Sequence, residues 1–361
     1  MKRDRYLDAL RAGSLLVVVA WHWFGTTLDP STYSTRPSVS APGLFLASWV
    51  LQVMPVFFYV GGCLHLKAYR PGYVRSRTVG LLRLVAPLLA GWAVIGAVLA
   101  ALGGLEWARS TVEFALSPLW FLAVYLMLVA LLPVAVWLHR RLGLGALAVL
   151  GAVAVVVDVL RIGFALPGVG WVNLVVVWML AHQAGFHHDR LVAARRTVGY
   201  GLLSAGVLGL TTLVVVFGYP GWLVGVSTEK WSNMSPPTVA IVALVALQAG
   251  LIRLVQPFAT RALATPRAGR ILDRLNRYGM PVYLFHLSAL LLAVVTGWVV
   301  AGLALALVVR VTGRDLSVGV AKVARVDRRR ATRGTACNGS SWSRVRPRSS
   351  GRSGATTSRS P

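Results

Sequence analysis

The chain is short of charge, with only 13% of its 361 residues charged against 56% hydrophobic. At a mean hydropathy of +0.67, no water-soluble core could hide so much apolar side chain, which excludes a soluble globular domain. Cysteine is scarce as well. Cys63 sits in an apolar run and Cys337 in a polar tail, so neither a disulfide framework nor a Cys-based zinc site is expected. There is no Gly-rich phosphate loop after a strand, no metal-ligand spacing and no Gly-x-Ser-x-Gly elbow, and three common routes to catalysis fall away. His187 and His188 stand beside Asp189; in a loop, such a pair is expected to be solvated rather than bound to metal, and no metal or resident cofactor is expected.

What the chain does have is apolar length. Stretches such as Leu84 to Leu102 and Ala289 to Val309 contain no acid and no lysine, and runs of this kind recur at the length needed to cross a bilayer. Breaks at Gly, Pro and charge clusters place nine spans near 8–28, 44–66, 80–103, 118–138, 143–161, 170–186, 198–218, 236–256 and 281–309. Only helices or closed barrels satisfy their backbone in lipid, and these runs are too long and continuous for barrel strands. The expected fold is therefore an all-α, polytopic transmembrane helix bundle, with membrane lipid as its constant partner. Met1-Lys-Arg-Asp-Arg precedes the first run, which carries Trp21, His22 and Trp23 and lacks a small-x-small cleavage site; it reads as an uncleaved first span.

The formal net charge of +26 does not point to nucleic acid, because the basic residues lie between apolar spans and not on one folded surface. With the N-terminus inside, seventeen basic residues from Lys2 to Arg277 fall in cytoplasmic segments, against Arg36, Arg109, Arg161 and Lys230 outside. That loop-by-loop alternation sets the orientation and supports a multi-pass protein of the cell membrane. From position 310 onward the composition turns to Arg, Ser, Gly and Thr, which cannot bury a core. The chain thus divides into a transmembrane unit, 1–309, and a basic low-complexity tail, 310–361, expected to be disordered or a disrupted terminus.

Ionisable residues inside a span are costly and default to functional candidates. Arg11 and His22 lie eleven residues apart, about 1100° of helical rotation, so they share one face at depths separated by about 16 Å. Asp8, three residues before Arg11, can brace the guanidinium. An imidazole titrates near neutrality and can accept a hydroxyl proton, although a buried histidine can equally serve as a hydrogen bond between helices, and Arg11 can snorkel to headgroups. Depth sorts the other polar residues into two clusters. Arg75, Arg77, Arg83, His182 and His286 are expected on the inner side, where guanidinium groups suit a phosphorylated cytosolic ligand. Asp158, Asn233 and Ser235 are expected in the outer half with His22, where a hydroxylated acceptor could bind. Gly61 and Gly62 suit close helix packing better than ligand contact.

Tyr6-Leu-Asp-Ala-Leu-Arg11, followed by apolar residues to His22, resembles the Leu-Asp-x-Leu-Arg…His signature of acyltransferase family 3, the multispanning membrane O-acyltransferases. Further similar segments follow in family order: Pro55-Val-Phe-Phe-Tyr-Val-Gly-Gly62, Arg83-Leu-Val-Ala-Pro87, Leu119-Trp-Phe-Leu122, His182-Gln-Ala-Gly185, Ser232-Asn-Met-Ser-Pro-Pro237 and Pro281-Val-Tyr-Leu-Phe-His286. The resemblance implies transfer of an acyl group, usually acetyl, from acyl-CoA as co-substrate to a hydroxyl of a glycan, a lipid-linked precursor or a small molecule. It makes His22 the catalytic histidine, as base or transient acyl carrier, with Arg11 its helix partner and the inner arginines holding the donor. Two departures accompany it. Gly80 stands where many members carry the first arginine of an Arg-x-x-Arg pair, and the pattern fades near residue 300, where the tenth span of the family should follow. A transporter of a small polar or anionic solute is the alternative reading, as is an inactive truncated homologue; a transporter predicts internal repeats, and none is evident.

Overall fold

The computed structural model describes residues 4–24, 26–29, 34–37, 45–224, 231–296 and 303–311, all within one compact unit spanning Met1–Gly313. The architecture is the expected all-α bundle. Its helices are α1 (Arg5–Phe24), α2 (Phe45–Leu51), α3 (Met54–Ala68), α4 (Tyr73–Gly103), α5 (Leu105–Leu116), α6 (Leu119–Ala130), α7 (Leu132–Leu142), α8 (Gly145–Asp158), α9 (Val172–Phe186), α10 (His188–Ala193), α11 (Arg196–Val215), α12 (Val239–Ala262) and α13 (Pro266–Thr296).

Among the described residues, seven segments are long and apolar enough to cross a membrane: α1, α2 with α3, α4, α8 with the π-helical turn Val159–Gly163, α9 with the preceding turn from Val169, α11, and α12. The pair α5 and α6, bent by 51°, makes an eighth. Nine was therefore an approximate count. The span expected at 118–138 is broken at Leu131, where α6 ends and Pro133 sits in the first turn of α7, a position at which proline loses no helical hydrogen bond. The first span runs from Arg5 to Phe24, and an antiparallel ribbon pairs Thr26–Asp29 with Ser34–Pro37, so the expected 8–28 overran the end of the helix by four residues. The ninth expected span, 281–309, is described in part: α13 carries it to Thr296, 303–311 is helical, and 297–302 lies outside the described residues. Most of the expected tail also lies outside them.

The central helices are α3, α9 and α12, with half or more of each span buried, while α4, α8 and α11 are mostly exposed. The exposed faces are apolar, as at Leu82, Leu89 and Val98 on α4 and Val153 and Val156 on α8, which in water would be untenable and in lipid is the low-energy state. Glycine sets the closest contact. A Cβ on Gly62 would lie 1.9 Å from the His182 carbonyl oxygen, and one on Gly185 would lie 1.9 Å from that of Tyr59. No side chain fits at either position, so the crossing of α3 and α9 depends on both glycines, as small-residue membrane interfaces do.

The two ends of the bundle are tied by side chains. Thr238 caps α12, accepting from the Ala240 amide at 3.3 Å, and Asp4 accepts from the Tyr6 amide at 2.9 Å at the start of α1. Next to α10, His188 is buried between the Tyr59 hydroxyl at 3.0 Å and the Asp4 carboxylate at 3.7 Å, contrary to the solvated loop expected for it. Burial pushes its pKa down, with Asp4 opposing. Among the described residues there is no group of three or more metal-ligating side chains.

Candidate functional site

Helices α1 and α13 run side by side in the same direction. Arg11 Nε donates to Asn276 Oδ1 at 2.8 Å, Leu15 meets the backbone at Gly279, and Trp23 Nε1 donates to the His286 carbonyl oxygen at 3.1 Å. Rising from 276 to 286 along α13 therefore matches rising from 11 to 22 along α1, about 15 Å in each case. His286 accordingly lies at the depth of His22, not among the inner arginines where sequence placed it. The two rings are neighbours: centroids are 5.0 Å apart and His286 Nε2 is 3.3 Å from His22 Nδ1. His22 Nδ1 also contacts the Val18 carbonyl oxygen at 2.8 Å, one turn below.

His22 lines a cavity of about 690 Å³ with Trp21, Gln52, Trp120, Trp171, Ser232, Ser235 and Tyr283 among its walls. That is large enough for a sugar-sized or drug-sized ligand. Val224, Ser232, Met234 and Ser235, between α11 and α12, also line it, and this region is held together by Asn233, whose Nδ2 donates to the Pro220 and Trp222 carbonyl oxygens at 2.7 and 3.0 Å while the Thr238 hydroxyl donates to Asn233 Oδ1 at 2.8 Å. Asp158 braces the same region, accepting from Asn173 at 2.9 Å, the Tyr219 hydroxyl at 3.0 Å and the Val239 amide at 2.8 Å. Of the three residues expected on the acceptor side, only Ser235 reaches the cavity wall. Asp158 and Asn233 spend their hydrogen-bonding capacity on the frame.

Arg11 is also a frame residue in part. Besides Asn276, its guanidinium lies 3.7 Å from Asp8, and Asn276 Nδ2 returns a bond to the Asp8 carbonyl oxygen at 3.1 Å. It fastens the N-terminal half of α1 to α13 at Asn276 and so fixes where His22 and His286 meet.

A second polar cluster lies toward the other end of α3, α4 and α9. Arg77 Nη2 donates to the Tyr125 hydroxyl at 2.9 Å, that hydroxyl is 2.8 Å from His65 Nε2, and His65 Nδ1 is 3.0 Å from His182 Nε2. Arg77 and His182 are thus brought together, but through His65 and Tyr125, neither of which the sequence reading named. A signal existed: His65 is one turn past Gly62 and Tyr125 one turn past Leu122, each on the face of a recognised segment. Arg77 Nε and His182 Nδ1 are buried with no partner among the described residues.

The remaining inner arginines do not join this cluster. Arg75 opens onto a groove of about 740 Å³ that Arg70 and Arg140 also line. Arg83 sits on the exposed side of α4, whereas Leu81, Val85, Leu88 and Trp92 form its buried side. Between the two clusters stands an aromatic partition: Tyr283 packs on His286 at 5.6 Å, Phe121 on Tyr283 at 5.4 Å, and Phe57 on both Phe121 at 4.7 Å and Tyr125 at 6.0 Å. Among the described residues, no arginine lines the cavity beside His22.

A multi-pass helix bundle with a histidine in the wall of a mostly apolar cavity that carries a few polar side chains has the features of a membrane enzyme site. The chain belongs to acyltransferase family 3, matching the family model described as an acyltransferase domain over residues 4–312. It is thus a membrane acyltransferase in the general sense. No curated protein and no solved structure matches it.

Proposed function

We propose that this protein moves an acyl group, acetyl in the simplest case, from acyl-CoA to a hydroxyl of a glycan, a lipid-linked precursor or a small molecule held beside His22. The observation that supports it best is the position of His22, in the wall of a 690 Å³ cavity and tethered by Val18 and His286. As a base, the imidazole takes the hydroxyl proton while the oxygen attacks the thioester carbonyl; as a carrier, it is acylated first and then surrenders the group. Either route suits an imidazole held by its other nitrogen. Family membership weighs against the transporter reading.

The donor enters on the side of Arg75 and Arg77 in this reading, with its phosphates against the groove of Arg70, Arg75 and Arg140 and its thioester directed at the partition. Phe121, Tyr283 and Phe57 then separate donor and acceptor, so the thioester must pass or displace them to reach His22. The orientation that fits is N-terminus cytosolic in the cell membrane, with the cavity beside His22 facing outward. The unit 1–309 carries the activity and the basic segment 310–361 lies beyond it.

The test is His22→Ala in purified protein reconstituted in lipid, assayed for thiol release from acetyl-CoA with glycerol as hydroxyl probe. A loss of about 100-fold or more is expected, with abundance and thermal stability unchanged. Wild-type turnover in that variant overturns the reading.

A further inference from the structure

Arg161 sits in the π-helical turn Val159–Gly163 that follows α8, and its guanidinium holds both ends of one short segment. Nη1 donates to the Pro236 carbonyl oxygen at 3.1 Å, and the guanidinium carbon lies over the Trp231 ring, 5.7 Å from its centroid. A planar guanidinium can do both at once, donating from its edge while its face lies on an aromatic ring. Trp231 also packs edge-on against Tyr219, with centroids 5.1 Å apart. Between the two held ends lie Ser232, Met234 and Ser235, which line the cavity beside His22.

The stem of Arg161 passes over Gly170. A Cβ on Gly170 would lie 2.7 Å from Arg161 Cδ and 2.9 Å from Pro236 Cγ, so the turn at 169–171, the arginine stem and the proline pack with no room for a side chain. The next residue, Trp171, lines the same cavity. Arg161 therefore joins two walls that are distant in sequence. The other ties act elsewhere: Asn233 binds the segment back to Pro220 and Trp222, and Asp158 holds the Val239 amide beyond its end. Arg161 itself does not line the cavity, so it acts on a ligand only through the residues it holds.

We propose that Arg161 is a positioning residue for the acceptor: by fastening Trp231 and Pro236 across Gly170, it fixes Ser232, Met234 and Ser235 relative to Trp171 and so sets the shape of the cavity in which the hydroxylated ligand rests. This rests on the acyl-transfer reading of that cavity. Without the fastening, the segment must be ordered by the acceptor as it binds, which weakens acceptor binding. The groove of Arg70, Arg75 and Arg140 shares no residue with these walls, so binding of the donor is unaffected.

The experiment uses the full chain in phospholipid nanodiscs. Thiol release from acetyl-CoA at varied glycerol gives the Michaelis constants, and hydrogen exchange read by mass spectrometry follows the Met234 and Thr238 amides, which bond within the segment. Arg161→Ala should speed their exchange and raise KM for glycerol, each about tenfold, the loss of one charge-assisted bond, with KM for acetyl-CoA within about twofold. Arg161→Lys keeps a cationic donor for Trp231 and Pro236 and should bring exchange and glycerol KM within about threefold of wild type. Gly170→Ala disturbs the same contact from the opposite wall and should raise both about threefold or more. Unchanged exchange in a folded Arg161→Ala protein overturns the proposal. So does an equal rise in both Michaelis constants, or a folded Arg161→Lys protein that behaves as Arg161→Ala does. If Arg161→Ala yields no folded protein, wild-type exchange and glycerol KM in Gly170→Ala overturn it instead. If thiol release by the wild type does not depend on glycerol, the acyl-transfer reading fails, while hydrogen exchange still decides whether Arg161 holds the segment.

Discussion

The two histidine pairs of this bundle are built from the same parts and left in different states. His22 lines a cavity with the buried His286 packed against it, and each spends one nitrogen on a backbone carbonyl. His65 and His182 are sealed among α3, α6 and α9, and their partners are side chains, Tyr125 and through it Arg77. The first pair meets the cavity through His22; the second is knitted into a chain of hydrogen bonds that ends on a guanidinium. Buried polar chains of that kind rigidify a structure when satisfied and are costly when cut, so the sealed pair should act on stability and the open pair on turnover.

The largest way to break that contrast is Gly62→Val. The added Cβ would fall 1.9 Å from the His182 carbonyl oxygen, forcing α3 off α9 and dispersing the sealed pair, so little folded protein should survive in detergent, as size-exclusion chromatography would show. Recovery of a normal monodisperse peak would mean the crossing tolerates far more than its geometry implies. A smaller effect is expected of Tyr125→Phe, which deletes the hydroxyl between Arg77 and His65 and leaves two buried groups unpaired, a cost of about 1–3 kcal/mol. Thermal unfolding should report it, and turnover per folded molecule should change far less than in His22→Ala.

Arginine position sharpens the contrast next. Arg77→Ala should raise KM for acetyl-CoA about tenfold, roughly one charge-assisted bond, whereas Arg83→Ala should leave it within about twofold because Arg83 lies on the exposed side of α4. The reverse ranking would move the donor site to the outer face of that helix. The smallest effect concerns His188, near the inner end. Its folded pKa is lowered by burial, so its contribution to stability is present above its unfolded value of about 6.5 and is lost as pH falls through the lower folded value. Unfolding temperature should therefore drop below pH 6.5 in wild type and drop less in His188→Gln; parallel curves would remove His188 from the acid response.

How much of the site could be read from the chain depended on the residue. His22 stood out because an ionisable group within an apolar run is rare and costly. His65 and Tyr125 escaped notice because each lies one turn beyond a recognised segment and neither carries a fixed charge. His286 was noticed and put at the wrong depth: the apolar run was taken to start at 281, whereas α13 begins at Pro266 with a basic half that adds about four turns below it. Arg83 was grouped with Arg75 and Arg77 by expected depth, although it lies six positions from Arg77, about 600° of rotation and hence on a different face.

The amino-acid sequence alone determined that this chain is a membrane helix bundle and, approximately, where most of its apolar runs fall. Those properties follow from the local transfer free energy of each segment, which needs no partner. Tertiary structure alone decided that His286 backs His22, that His182 meets Arg77 through His65 and Tyr125, and that Asp158 and Asn233 serve the frame. In lipid the outward and inward faces of a helix are equally apolar, so sequence carries little record of rotation about the axis, and only packing against neighbours such as Gly62 and Gly185 fixes it.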